Sequence, residues 1–470
     1  MVGANTLLGE TLREDLPRLA GKAAGWSLAP DDVDCPAAPD DPLGDHDSPA
    51  ADAKEGILSR DGGHFVAALS AGADVFADEA ASLLRRKLPD LPFRILVDGN
   101  ERTRASAEIS TELPVFAPCE WTGRGLASYL VEQGKEQAYV ALEVSRRHEG
   151  ARLAEEGKAS DLASMLTGRT KLANFRRPLD LDELADDGYL AVIHADGNDV
   201  GKAAGLNKPE PAFFHRNRVL LRRALQFAIN RACEHATTAP LVLLMLGGDD
   251  VLVVSRAASA LPFVADLCRE LERLQSNRGN LFHLTLGVGI VFSKPTVPIH
   301  RLHELTEQLA ASSKRRFRGF AEHERASVAD WAVYTTAWVD APEDIRRRDW
   351  VRGSGENRRI LSFRPLRVLG DGLASVDGLL KAKDLIRDAP RSQLRYLVDQ
   401  LHRGKTLSEL AFEELPKEAR DTLDQAGVSE VWTRERATEP YLTSVLDLIE
   451  VFEIGRLGRA ESGQATGGIV

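Results

Sequence analysis

The stretch LMLGGDDVLVVS, residues 244–255, sets two adjacent aspartates, Asp249 and Asp250, behind two glycines and between two apolar runs. Like charges at the tip of a hairpin repel and must be desolvated together, so folding alone gives little reason to pair them there. A divalent cation removes the conflict. A third carboxylate, Asp196, ends the apolar run GYLAVIHAD. Three carboxylates on one sheet edge would make an oxygen-rich site suited to Mg²⁺ or Mn²⁺, hard ions that combine protein carboxylates with substrate phosphate. Two such ions can activate a sugar hydroxyl and stabilise a leaving pyrophosphate in an in-line displacement. Gly247 and Gly248 permit a tight turn and a close approach by a triphosphate, and Gly197 leaves its carbonyl free as a further oxygen ligand. Gly-Asp is also a common hairpin turn in its own right, so the motif takes its meaning from Asp196. The expected catalytic carboxylates are Asp196, Asp249 and Asp250, and the expected metal ligands are these three with Gly197.

These residues are placed by elements that the apolar periodicity makes legible. GYLAVIHADG reads as a strand and FFHRNRVLLRRALQFAINRACEHA as a long amphipathic helix, and APLVLLMLGGDDVLVVSR reads as strand, tight turn and strand. A helix (ASALPFVADLCRELERL), the strand FHLTLGVGIVFS, the helix IHRLHELTEQLAASSKR and a strand around WAVYTTAWV follow. The order βαββαβ, with one further helix before the last strand, predicts an α+β fold: a ferredoxin-like sheet with helices on one face. In that topology the first strand neighbours the central hairpin, which brings Asp196 to the GGDD turn. Four regions are expected: an N-terminal helix and disordered linker over 1–56, a small α+β domain over 57–185, the domain holding the carboxylates over 186–345, and a helical region over 346–470. The linker expectation rests on APDDVDCPAAPDDPLGDHDSPAADAKE, residues 29–55, which is rich in Pro, Asp and Ala and has no apolar period.

Composition narrows the class. The chain has 470 residues, 43% of them hydrophobic, enough for real cores in two to four domains. Its net charge of -11 argues against a stand-alone electrostatic binder of nucleic acid, although a local basic groove stays open. The four cysteines, Cys35, Cys119, Cys233 and Cys268, form no CxxC pair, which fits a reducing cytoplasm and points to neither a disulfide framework nor a zinc knuckle. No apolar run has the length of a membrane span, and MVGANTLLGETLRED lacks the order of a signal peptide, so a cytoplasmic protein without a membrane partner is expected. His300 and His303 share a helix face without a third ligand and read as solvated or capping residues. SKRRFRG, with Lys314, Arg315, Arg316 and Arg318, reads equally as a phosphate contact or as cations at a helix C-terminus. Cys233 and Cys268 read as core.

HADGNDVGK after a strand, GGDD in a hairpin and LGVGIVFSKPTVPIHRLHELTEQLAASSK together resemble the palm, or GGDEF-like, domain of the large polymerase and cyclase subunit of type III CRISPR effector complexes. The likeness continues through SFRPLRVLGDGLASVDGLLKAKDLIRDAPRSQLRYLVDQL and LTSVLDLIEVFEI, and back to FAPCEWTGRGLAS, so it spans residues 110–455 in order. The resemblance implies a first palm-like domain over 57–185, conversion of ATP or another NTP into cyclic oligoadenylate messengers in antiviral defence, and two divalent ions on Asp196, Asp249 and Asp250. It also matches Lys314 to a lysine that contacts the triphosphate, beside Gly197, Gly247 and Gly248 as nucleotide-binding positions. Control by a bound RNA or partner protein is implied as well, with the C-terminal helical region from Ser362 transmitting it, and with oligomer or effector-complex partners. The family's HD nuclease has no counterpart beyond His46-Asp47 in the linker, so DNA cleavage in cis is not expected and a shortened or stand-alone relative is. Cys119, followed by Glu120, Trp121 and Thr122, does not supply the paired cysteines of the family. Two rival readings stand: a catalytically inactive palm scaffold for RNA or partner subunits, and a diguanylate cyclase, against which Val251 stands where that family has Phe.

Overall fold

Strand β1, Leu190–Gly197, is apolar at nearly every position and buried on both faces, as a strand in the middle of a covered sheet must be. In the computed structural model it lies at the centre of a six-stranded sheet. After it come helix α1 (Pro211–Cys233), strands β2 (Leu241–Gly247) and β3 (Asp250–Arg256), helix α2 (Ala257–Gln275), strand β4 (Leu286–Ser293), helix α3 (Ile299–Arg318), strand β5 (Val328–Tyr334) and the two-residue strand β6 (Leu366–Arg367). The strand order is β6-β5-β4-β1-β3-β2. Four neighbouring strands of it, β4-β1-β3-β2, follow the ferredoxin-like order 4-1-3-2, and β4 and β3 both run antiparallel to β1. The expected α+β palm is therefore present. It is extended on one side by β5, parallel to β4, and by β6 at the edge.

The structure describes residues 2–25, 56–59, 63–106, 117–133, 136–155, 178, 180–186, 188–203, 211–234, 236, 238–276, 282–334, 340–434, 436 and 438–457. The expected linker, His46-Asp47 and Cys35 lie outside these residues, as does the second half of WAVYTTAWV.

The described residues form two compact units. One comprises Met1–Arg169 with Gly201–Arg223 and Leu244–Asp249; the other comprises Thr170–Val200, Ala224–Leu243 and Asp250–Val470. In the first, the N-terminal helical residues Val2–Ala24 join the small domain instead of standing apart: Leu7 packs with Leu84 and Leu88, and Leu12 and Leu16 with Ala80, on helix Ala73–Lys87 and its C-cap Leu88. Lys87 fixes that seam by ion pairs to Glu10 (2.7 Å) and Asp15 (2.6 Å). Three antiparallel strand pairs, Ile57–Ser59 with Val66–Ala67, Phe93–Val97 with Asn100–Ala105 and Tyr129–Gln133 with Glu136–Val140, complete it with helix Leu142–Glu155.

In the second unit, all eight residues of β4 are buried. Side chains alternate between the faces of a strand, so the sheet is covered on both faces and not only on the one that the βαββαβ pattern suggests. Helix α3 sits on the face that carries Gly287 and Gly289. A Cβ on Gly289 would lie deep inside the backbone of α3 at Thr306 O and Ala310 N, so this helix seats only because that strand position has no side chain. Gly289→Ala is accordingly expected to destabilise the protein by about 1–3 kcal/mol through overpacking, measured by urea denaturation; an unchanged midpoint would show that α3 gives way freely.

The C-terminal region contains the expected helices, among them Val376–Leu385, Arg391–Arg403, Lys405–Glu413 and Val445–Ile454. It also holds a small three-stranded sheet (Val351–Arg352, Arg359–Ile360, Tyr441–Leu442), and it donates β6 to the palm sheet. Two-residue strands carry no readable period, so the sequence shows only the region's helices.

Candidate functional site

The register of β1 against β3 pairs Ala195 with Val251, so the next step outward sets Asp196 opposite Asp250. The two carboxyls lie close enough for each to perturb the ionisation of the other. On the other side of β1, Asp196 is opposite Gly287 of β4. A Cβ at Gly287 would stand 2.7 Å from Lys314 Cγ, so the bare backbone leaves the path along which the lysine stem crosses the sheet. Lys314, from α3, thus reaches Asp196 and forms an ion pair with it. Strand, hairpin and helix converge on one pair of carboxylates.

His194 stands two residues before Asp196 and shares its face of β1. Its Nε2 is 3.7 Å from Asp250 Oδ1, its ring centroid is 5.7 Å from that of His303, and its buried Nδ1 has no hydrogen-bond partner. His303, expected to be solvated, therefore sits against the site; it was the alternation of β1 at His194, and not the i, i+3 spacing of His300 and His303, that carried the signal. Beyond the strand, Asn198 is 2% exposed. Its backbone N–H donates to Thr285 O (2.8 Å) and its Nδ2 to Thr285 Oγ1 (3.1 Å), while its Oδ1 is buried without a partner. Asp199 follows in the left-handed region (φ 54°), 3.6 Å from Arg318 Nε and 3.7 Å from Arg325 Nη1. Of the basic run at the end of α3, only Lys314 faces the carboxylates: Arg315 pairs with Glu343 and Arg316 lies over the ring of Phe320.

The electrostatics show strain in the paired carboxyls. Burial, and then the charge of Asp250, push Asp196 above the ordinary carboxylate range against the pull of Lys314. Burial also opposes ionisation of Asp250, yet His194 and Asp196 beside it, and the charge of Lys314, hold it below that range.

The turn places the remaining predicted residues in sequence: Gly247 ends β2, Gly248 adopts φ 65° as a tight turn requires, and Asp249 immediately precedes Asp250. Gly197 closes β1 opposite Leu286. Among the described residues, no group of three or more His, Cys, Asp or Glu side chains is placed to hold an ion. The donor pair Asp196 and Asp250 still fits a hard cation of the Mg²⁺ kind, which takes one or two protein carboxylates and completes its shell with phosphate oxygens and water. Cys119, Cys233 and Cys268 are free and buried; burial pushes the Cys268 thiol up to about 12.

Residues 189–320 match the family model for the second palm domain of Cas10/Cmr2. No curated protein matches the chain. Among solved structures, the chain is similar to Csm1 in a Csm1-Csm4 cassette in complex with pppApApA, at 11% identity and a TM-score of 0.43, over 97% of this chain and 65% of that one. It is likewise similar to Csm1 in the cassette with cA4 (11% identity, TM-score 0.38, 94% and 65% of the two chains). The GGDEF domain of DgcB from Caulobacter crescentus, in complex with c-di-GMP, aligns at 14% identity with a TM-score of 0.22, over 35% of this chain and 94% of that one. The chain therefore spans somewhat less than two thirds of the Csm1 chains it resembles. Among the described residues, no helix is long and apolar enough to cross a membrane. With the strand order of the fold and the match over 189–320, this part of the chain is a palm domain of the Cas10/Cmr2 type.

Proposed function

We propose that the palm is a nucleotidyl cyclase that converts ATP, or another NTP, into cyclic oligonucleotide messengers by attack of a sugar hydroxyl on an α-phosphate. The observation that carries this reading is the juxtaposition of Asp196 and Asp250 with Lys314 at the end of β1, inside a palm matched to Cas10/Cmr2. Asp196, Asp250 and Asp249, with the carbonyl of Gly197, are the proposed holders of two Mg²⁺ or Mn²⁺ ions. When bound, such ions supply Lewis-acid activation of the hydroxyl and neutralise the leaving pyrophosphate. The protein's own part is positional. His194 orients Asp250, the Gly247-Gly248 turn lets the triphosphate approach the backbone, and Lys314 exchanges Asp196 for a phosphate oxygen of the substrate. An RNA or protein activator and effector-complex partners belong to the same proposal.

The test is incubation of the pure protein with each NTP and Mg²⁺ or Mn²⁺, with mass spectrometry of the products. Cyclic oligoadenylates are expected. Turnover of GTP alone to a cyclic dinucleotide would identify a diguanylate cyclase instead, and no product with any NTP, with or without RNA, would leave a scaffold. Lys314→Ala is expected to raise the apparent KM for the triphosphate about tenfold and to lower kcat less, because a lysine on phosphate contributes to ground and transition states alike. Steady-state kinetics read the split, and wild-type KM would assign the lysine to Asp196 alone.

A further inference from the structure

The small sheet of the C-terminal region lines up two cations that folding does not explain. Its strands Val351–Arg352 and Arg359–Ile360 are antiparallel, with Arg352 directly opposite Arg359, and Tyr441 is the partner of Arg359 on the other side. Directly opposed like charges are destabilising on a sheet. Neither arginine has a carboxylate within ion-pair reach among the described residues, nor has Arg434, which arrives beside Tyr441 through the bridge of Thr433 to Leu442. Each of the three buries a guanidinium nitrogen that has no hydrogen-bond partner: Arg352 Nε, Arg359 Nη1 and Arg434 Nη2. All three residues are half-buried, and Arg434 is anchored by its Nε, which donates to the carbonyls of Arg436 (3.0 Å) and Glu439 (2.8 Å). Lys405 adds a fourth cation, 4.9 Å above the Tyr441 ring, and it alone has an acidic partner, Glu409 at 2.7 Å.

Aromatic faces explain where these groups lie but not their charge. Arg359 lies 5.8 Å from the Trp432 ring centroid and Arg434 4.7 Å from that of Tyr441. Such contacts hold a cation in place and leave its charge uncompensated. The excess is felt locally: burial and then the charge of Arg352 hold Arg359 below the usual guanidinium range, and the same two causes lower His402. Forked donors, half-desolvated and without carboxylates, match a tetrahedral oxyanion, which arginine binds through paired charge-assisted hydrogen bonds. Both aromatic faces are already occupied by cations, so a base has no free ring to stack on and the ligand is recognised through phosphate.

We infer that Arg352, Arg359 and Arg434 form a binding site for phosphate oxyanions, separate from the carboxylates of the palm. The site does not rest on the cyclase reading. Its test is binding by the full chain in EDTA, where the palm has no metal to attract a triphosphate, with two probes: tripolyphosphate followed by calorimetry, and a fluorescein-labelled single-stranded oligonucleotide followed by polarisation. Arg352→Gln combined with Arg359→Gln is expected to weaken binding about tenfold or more with an unchanged or higher Tm, since a like-charge pair is relieved. Arg434→Gln, which leaves the paired strands intact, serves if the double variant does not fold. Arg387→Gln is the control, removing an exposed charge whose neighbour Asp388 is 3.7 Å away. Loss of oligonucleotide binding with a fall of about two in the salt slope identifies a nucleic-acid backbone; loss confined to tripolyphosphate identifies a free polyphosphate or nucleotide. The inference is overturned if neither probe binds the wild type, if the Arg352, Arg359 and Arg434 variants bind as it does, or if Arg387→Gln weakens binding equally.

Discussion

Asp196→Asn is expected to lower nucleotide turnover by about three orders of magnitude, the loss typical of removing a preorganised charge from a transition state, while leaving Tm unchanged or higher. The two outcomes share one cause. In the folded protein Asp196 lies above its ordinary range because burial and Asp250 penalise its charge. A carboxyl whose folded pKa exceeds its unfolded value costs stability as pH rises from the unfolded value through the folded one, so at neutral pH an ionised Asp196 opposes folding. Asparagine imitates the protonated acid: its amide N–H can donate to Asp250 and its oxygen can accept from Lys314. Folding therefore loses nothing, whereas the proposed chemistry loses a full negative charge. Parallel thermal unfolding and product analysis check both halves. A protein that folds poorly would make the aspartate structural, and one that folds and turns over normally would end the cyclase mechanism proposed for this edge.

Arg364→Ala is expected to cost about 3–5 kcal/mol of stability, the range for breaking a buried ion pair from one side. Arg364 is fully buried and lies between the rings of Trp331 (4.6 Å) and Trp350 (4.3 Å). Its Nε donates to Asp447 Oδ1 (2.9 Å), and its Nη1 reaches Glu450 Oε2 at 2.6 Å. Ser362 Oγ (2.6 Å) and the Phe363 N–H (2.8 Å) complete the donors to Asp447, and Trp331 Nε1 donates to Glu450 (3.1 Å). Burial raises both carboxyls even with the arginine present. Without it their charged forms become costlier still, so the deficit of the variant grows as pH rises above the usual carboxylate range and shrinks in acid, where both groups are protonated. Urea titrations at several pH values check the slope. Adding Asp447→Asn and Glu450→Gln should recover most of the loss; a deficit independent of pH would mean that the arginine matters through packing on the two tryptophans.

This hub also changes what the C-terminal region can be asked. The same network ties helix Val445–Ile454 to β5, and Arg346 continues it by pairing with Asp330 of β5 and donating to Ser312 Oγ (3.3 Å) on α3, two residues from Lys314. Residues from Ser362 onward also supply β6. Their removal would strip an edge strand and expose Asp330 and Trp331, so deletion cannot separate transmission of a signal from loss of the palm. Point substitutions in the hub can.

Local order was legible from the amino acids alone. Short apolar runs and the helical spacing named β1 to β5 and α1 to α3 in sequence, because a strand covered on both faces is apolar throughout and a helix on a core repeats apolar residues at period 3.6. The same reading singled out Asp196 and the GGDD turn, and the family resemblance added Lys314. Topology placed Asp196 beside the GGDD turn; what the chain could not disclose was that Lys314 meets them. Asp196 and Lys314 are 118 positions apart, and their contact depends on Gly287 standing opposite Asp196 so that α3 can pass close to the sheet. A slip of one residue in that register would turn every side chain to the other face. His194 and His303, the Arg364 hub, the β6 edge and the pairing of Arg352 with Arg359 are facts of the same kind. Each joins segments distant along the chain through register and facing, and neither quantity leaves a periodic trace in the sequence.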